Sequence, residues 1–235
     1  MGAAGVFDPA ILDALEERIG HRFADRSLLE LALVHRSWHA ENPLSPGTNE
    51  RLEFLGDAVL GFVVADVAFR EMEEMPEGRL TDLRIAVVNT GALAQLARDL
   101  RVGECVQLGK GEDAAGGRDK DSILADAMEA IIAAVHLDAG IVAAHALVSR
   151  LFAPAIEEVL PHLDMFDAKS RLQELCARLG SGSPSYDTSG EGPDHERIFT
   201  SRVTVGGRVC GTGTGRTKKA AEQMAATEAH RLLSE

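Results

Sequence analysis

The feature that most constrains this chain is a change of hydrophobic period near residue 161. From about Pro9 to Leu160 apolar residues recur every three or four positions, and no stretch alternates as a strand would. Leu12, Leu15 and Ile19 begin an amphipathic stripe that Gly20 closes, and Asp25 is placed to cap a helix running through Leu28, Leu29, Leu31, Ala32 and Val34. A long helix from about Asn49 to Glu73 ends at Met75-Pro-Glu-Gly78. Lys120 or Asp121 opens another through Ala125, Met128, Ile131, Ile132 and Val135, and a last one spans about Ile141 to Leu160. Residues 1–160 therefore read as an all-α domain.

After a linker over 161–167 the pattern differs. Lys169 to Leu179 reads as a helix ended by Gly180. Ser185 to Thr188, Ile198 to Val205 and Arg208 to Thr214 read as short strands, with Gly206-Gly207 as a two-residue hairpin turn. Thr217 to Leu233 is a final helix with an alanine-rich face. Residues 168–235 form an α+β domain of order α-β-β-β-α, so the chain is multi-domain.

The net charge of −13 would argue against nucleic acid if it were evenly spread. It is not. From Asp167 onward there are 10 Lys and Arg against 9 Asp and Glu, whereas the preceding part has 14 against 28. Cys105, Cys176 and Cys210 match neither a disulfide framework nor a metal-ligand spacing, which fits free thiols in a reducing cytosol. No apolar run approaches 18 residues and Met1 to Pro9 lacks the layout of a secretion signal, so a cytoplasmic protein with no membrane span is expected.

The acidity is concentrated in Asn49-Glu-Arg-Leu-Glu-Phe-Leu-Gly-Asp57. On a helix, Glu50, Glu53 and Asp57 fall within roughly 60° of one another. Leu52, Leu55, Val59, Phe62 and Val63 are expected on the opposite, core-facing side. A solvated face is the plain reading of such acids. Phe54, however, lies among them, where a solvated face would not place an aromatic ring, and no lysine interleaves. A cation site beside a contact surface is the alternative.

Asp126 and Glu129 make a second acidic pair at i, i+3. Alone it too reads as solvated. If it faces Glu53 and Asp57, four carboxylates share one interior and need cations to stay ionised. No His or Cys joins them, and Glu-x-x-His is missing from both pairs, so oxygen ligation of Mg²⁺ or Mn²⁺ is favoured over zinc or di-iron. Such an ion suits phosphoryl chemistry. Glu77 could reach the same cluster or serve only its own helix N-terminus. In the second domain Arg216, Lys218 and Lys219 stand at a helix N-terminus, the wrong end for cations unless a phosphate sits there; tolerated surface charge is the alternative. Gln173 and His195 carry no signal of their own.

Asn49-Glu-Arg-Leu-Glu-Phe-Leu-Gly-Asp57 resembles the signature of ribonuclease III, the double-stranded-RNA endonucleases. His35-Arg-Ser37, Pro76-Glu-Gly78 and Ser122-Ile-Leu-Ala-Asp-Ala-Met-Glu129 resemble that family in its order. Arg171-Leu-Gln-Glu-Leu175, Gly211-Thr-Gly213 and Lys218-Lys-Ala-Ala-Glu222 resemble its RNA-binding domain. The resemblance covers nearly the whole chain. It implies that Glu53, Asp57, Asp126 and Glu129 hold Mg²⁺ (or Mn²⁺), with Asp57 and Glu129 most critical to catalysis. It places Glu50 and Glu77 around that site, inserts Phe54 into the partner subunit of a homodimer, and gives Gln173, His195, Lys218 and Lys219 to RNA. It further implies cleavage of both strands to 5′-phosphate ends with short 3′ overhangs, on ribosomal RNA precursors and structured messenger RNA. Asp82 departs from the pattern by adding negative charge near the RNA path, which bears on substrate preference. A non-cleaving RNA-binding regulator and a nuclease for DNA or single strands are the competing functions.

Overall fold

The computed structural model describes residues 7–165, 168–193 and 197–234. The chain divides between Glu157 and Glu158 into two compact units. The first is helical, as its period requires. Helix α1 (Pro9–Ile19) starts at Asp8, whose Oδ1 accepts from the Ala10 amide at 2.9 Å, and stops at Gly20 in the left-handed region (φ 69°). Helix α2 (Arg26–Ala32) is capped by Asp25, as expected. Helix α3 (Arg36–Glu41) was not expected; it is a short turn that follows an isolated bridge. The bridge pairs Val34 with Gln107, and on its other side Val34 accepts from the Asn49 amide at 2.9 Å. The Asn49 bond holds the starts of α3 and α4 side by side, and the bridge ties them to the segment around Gln107. Among the described residues of this unit, this bridge is the only strand-like pairing.

Helix α4 (Glu50–Glu71) buries Leu52, Val59, Leu60, Val63, Val64 and Val67. Phe62 departs from expectation: it is 56% exposed. The cause is that α4 has two apolar faces. Phe54, Ala58, Phe62, Ala65 and Phe69 follow four- and three-residue steps along one exposed side, away from the buried valines. Helices α5 (Glu77–Val87) and α6 (Thr90–Asp99) follow; the glycine-rich segment Val102 to Gly117, which reads as irregular in sequence, contains α7 (Lys110–Ala114), with a 3₁₀ turn on either side of that helix.

Helix α8 (Asp121–Val159) joins two expected helices across a break at Gly140, whose φ of 80° and ψ of 178° suit glycine alone. Contrary to expectation, an 18-residue window of α8 is apolar enough to cross a membrane by composition, with a mean hydropathy of 1.9. Many of its apolar residues are core residues instead: Met128, Ile131, Ile132, Val135, Leu147, Val148 and Phe152 are all buried, whereas Leu137, Ile141 and Val142 around the break are exposed. Asp138, just before the break, accepts from the Asp25 and Ala24 amides at 2.8 and 3.1 Å and pairs with His21 at 2.9 Å, tying α8 to the start of α2. The buried Glu16 is likewise satisfied, by Arg26, Arg22 and the Phe23 amide.

The segment expected as a linker holds a 3₁₀ helix over Leu160–Met165. In the second unit helix α9 (Ala168–Leu179) is followed by an antiparallel sheet of β1 (Ser185–Glu191), β2 (Ile198–Val205) and β3 (Arg208–Gly215), in that order, and by helix α10 (Lys218–Ser234). Gly206 and Gly207 have φ of 57° and 80°, the doubly positive pair of a type I′ turn, and Val205 pairs with Arg208 across it. Ala225, Ala226 and Ala229 of α10 share one core with Leu172, Cys176 and Val203. The glycines of β3 permit this approach: a Cβ on Gly213 would collide with the backbone of Ala221 and Ala225.

Candidate functional site

Helices α4 and α8 meet backbone to backbone. Gly56 is buried there, and a Cβ on it would overlap the carbonyl oxygen of Glu129. This contact falls between Glu53 and Asp57 on one helix and at Glu129 on the other. The two acidic pairs therefore face a common region. Their electrostatics show the crowding. Glu129 is pushed up to about 7, by burial first and then by the charges of Asp57, Glu53 and Asp126. Burial, then Asp126 and Glu50, raises Glu53. Burial also raises Asp126, with Glu50 adding to it. So Glu53, Asp57, Asp126 and Glu129 form one interacting set, which Glu50 joins.

Among the described residues no three His, Cys, Asp or Glu side chains converge closely enough to hold a metal. The donor set is nonetheless all oxygen and overcharged, and it fits a hard divalent cation. Glu77 opens α5, where its Oε1 accepts from Thr81 Oγ1 at 3.1 Å. Asp82 is half-buried on the same helix.

A cleft of about 340 Å³ opens beside the cluster, lined by Glu50, Glu53, Asp126, Glu112, His35, Arg36 and Lys120 among others. Its position follows from the bond between Val34 and the Asn49 amide, which holds His35 near the start of α4. His35 is buried and its Nδ1 accepts from the Ser37 amide at 3.3 Å; burial holds it below the usual histidine range. Arg36 and Lys120 were not anticipated as part of this region. No periodic signal marks them, since they join the cleft through a two-residue bridge and a loop. A second groove of about 380 Å³ holds Asp57, Ala58, Gly61, Phe62, Arg84 and Ile85. Phe54 is 81% exposed on the same helix.

In the second unit Gln173 is exposed on α9, and Lys218 and Lys219 are exposed at the start of α10. Thr217 caps α10 by accepting from the Ala220 amide at 3.1 Å. The two helix starts are tied together by a network the sequence did not announce. Lys169 pairs with Glu222 at 2.7 Å, its amide donates to Gln223 Oε1 at 3.1 Å, and its ammonium lies 4.5 Å from the Tyr186 ring centre. Glu222 also accepts from Thr188 Oγ1 at 3.3 Å. His195 lies outside the described residues.

Residues 25–156 match the family model for ribonuclease-III-like domains, and residues 168–233 match that for the double-stranded RNA binding motif. The chain belongs to the ribonuclease III family. It is an endoribonuclease whose helical nuclease domain is followed by a double-stranded-RNA-binding domain. Ribonuclease 3 of Streptomyces coelicolor is 53% identical over 93% of this chain and 79% of its own length. That of Thermobifida fusca is 48% identical over 96% and 93%. The nuclease domain of Campylobacter jejuni ribonuclease III shares the fold, with a TM-score of 0.57 and 40% identity over 61% of this chain and 96% of that one. That structure is described as showing flexibility in a region involved in dimer formation. For this member of the ribonuclease III family, the shared region that the four carboxylates face is the candidate catalytic centre.

Proposed function

We propose that this ribonuclease III family member hydrolyses double-stranded RNA in a Mg²⁺-dependent reaction, leaving 5′-phosphate ends and short 3′ overhangs. The observation that carries it is the Gly56–Glu129 backbone contact, which sets the pairs Glu53/Asp57 and Asp126/Glu129 about one region, where their charges act on one another. Those four carboxylates are the residues that would hold Mg²⁺, with Mn²⁺ able to substitute. Bound there, the ion supplies charge neutralisation at the scissile phosphate and an acidified water. The resemblance to the family assigns the critical catalytic roles to Asp57 and Glu129, and burial together with the charge of Asp57 pushes Glu129 up to about 7. Glu50, coupled to Glu53 and Asp126, supports the cluster, and Glu77 acts from its edge, at the RNA.

The proposed enzyme is a homodimer. The exposed Phe54, Phe62 and Phe69 of α4, with Ile85 beside them, are more apolar surface than an isolated nuclease domain would leave wet. Phe54 inserts into the partner subunit in this reading, which pairs two active sites for the two strands. Gln173, His195, Lys218 and Lys219 contact RNA, reading the A-form shape and 2′-hydroxyls. Ribosomal RNA precursors and structured messenger RNA are the proposed targets, in the cytoplasm and without a membrane role. Asp82 is the residue on which substrate preference could turn.

Incubating purified protein with a long RNA duplex and Mg²⁺ tests the reading. Fragments ending in 5′-phosphate are expected. Intact RNA despite binding would establish a non-cleaving regulator, and cutting of DNA or single strands with duplex RNA spared would establish a different nuclease.

A further inference from the structure

We infer that Arg36 binds a phosphodiester of the cut RNA strand next to the scissile one, from the cleft on the Glu53–Asp126 side of the cluster. The inference rests on the nuclease reading above.

Three observations carry it. First, Arg36 is exposed at the cleft and, among the described residues, forms no ion pair or side-chain hydrogen bond. The other cation of the cleft, Lys120, is already paired with Glu112 at 3.2 Å. Second, Arg36 lines the same cleft as Glu53 and Asp126, yet clasps neither. An arginine serving only to neutralise these acids would close on one of them, because the guanidinium fork matches a carboxylate in two parallel bonds. Third, the backbone beneath it is fixed while its head is free. His35 is buried and bonded to Ser37, Ser37 Oγ accepts from the Gly109 amide at 2.9 Å, and Val34 bridges Gln107 and Asn49. A firmly placed stem with an unclaimed fork is the arrangement that binding an external anion requires.

The anion must be one that approaches a wall of Glu50, Glu53, Glu112 and Asp126. A strand whose scissile phosphate reaches the carboxylates carries a neighbouring phosphate on each side, and the cleft opens where Arg36 can meet one of them. The contact reads backbone rather than base, so it adds affinity and register without sequence preference.

The test uses the full chain, a short RNA duplex and Mg²⁺, with kcat/KM measured across a series of KCl concentrations for wild type, Arg36→Ala and Arg36→Lys. A lost phosphate contact makes the slope of log kcat/KM against log salt shallower by about 1. Arg36→Ala is expected to show that change with about a tenfold lower kcat/KM at low salt, and Arg36→Lys to keep the wild-type slope. The melting temperature should not move, because the side chain has no internal partner to lose. If the wild type cleaves and Arg36→Ala keeps its salt slope, whatever its rate, the inference is overturned. A wild type that leaves duplex RNA intact overturns the nuclease reading and this inference with it.

Discussion

Gly56 and Glu129 touch through their backbones, and any side chain on Gly56 would collide with the Glu129 carbonyl. The spacing of the acidic pairs is therefore set by the absence of one methyl group. Gly56→Ala should push α4 and α8 apart, with a stability loss of about 1–3 kcal/mol. Displacement of the facing carboxylates should lower cleavage by about 100-fold while RNA binding persists. Urea unfolding and a cleavage time course read the two effects. Cleavage within twofold of wild type would show that the contact does not set the site.

Glu129→Gln keeps the shape of the side chain and removes its charge. It should bind duplex RNA as the wild type does and lose cleavage by about 100-fold or more, in line with loss of a group acting at the reacting centre. Removal of divalent ions with EDTA should abolish wild-type cleavage, and added Mg²⁺ should restore it. A Glu129→Gln variant with near-normal turnover would take Glu129 out of the reaction.

Phe54 is 81% exposed and accompanied by Phe62 and Phe69 along α4. Phe54→Glu should weaken self-association without unfolding the subunit, since the ring has no core neighbours to lose. Sedimentation velocity is the measurement: a shift toward the slower species is expected, and an unchanged coefficient removes Phe54 from the interface.

The Lys169 hydrogen bond holds the Glu222 carboxyl below its ordinary range, against the opposing effect of burial. A carboxyl depressed in the folded state contributes stability above its unfolded pKa, near 4.5, and loses that contribution as pH falls through the lower folded value. The stability gap between wild type and Glu222→Gln should be flat above about pH 5.5, at up to about 1 kcal/mol, and should shrink below about pH 4.5. Thermal melts across that range decide it; a gap that widens toward acid would contradict the sign.

Duplex binding should weaken as salt rises, because phosphate contacts release counterions. Lys218→Ala and Lys219→Ala should each make the slope of log affinity against log salt shallower by about 1. An affinity indifferent to salt would contradict a phosphate role for the start of α10.

Much of this was legible in the order of residues. That Glu53 and Asp57 share one helix face and Asp126 and Glu129 another was legible because helical spacing dictates it, and the Gly206-Gly207 turn because few turns accept two positive φ angles. Phe62 was misplaced because a helix with two apolar faces gives no single direction for the core. The Val34–Gln107 bridge has no period to detect, so α3, His35 and Arg36 could not be placed from spacing. Glu222 appeared only as one letter in a basic motif; its partners Lys169, Thr188 and Tyr186 come from two other elements. Contacts made across the fold by single residues leave little trace in local pattern.

The phenylalanine stripe and the acidic face occupy one helix, with Phe54 and Asp57 three residues apart. On the proposed pairing, quaternary assembly and chemistry share a single rigid rod. Dilution then acts on turnover as directly as an inhibitor would: each subunit released from its partner wets the aromatic surface next to Asp57 and separates the two cutting centres. The abundance of this chain in its cell becomes a control on whether duplex RNA is cut on both strands in one encounter.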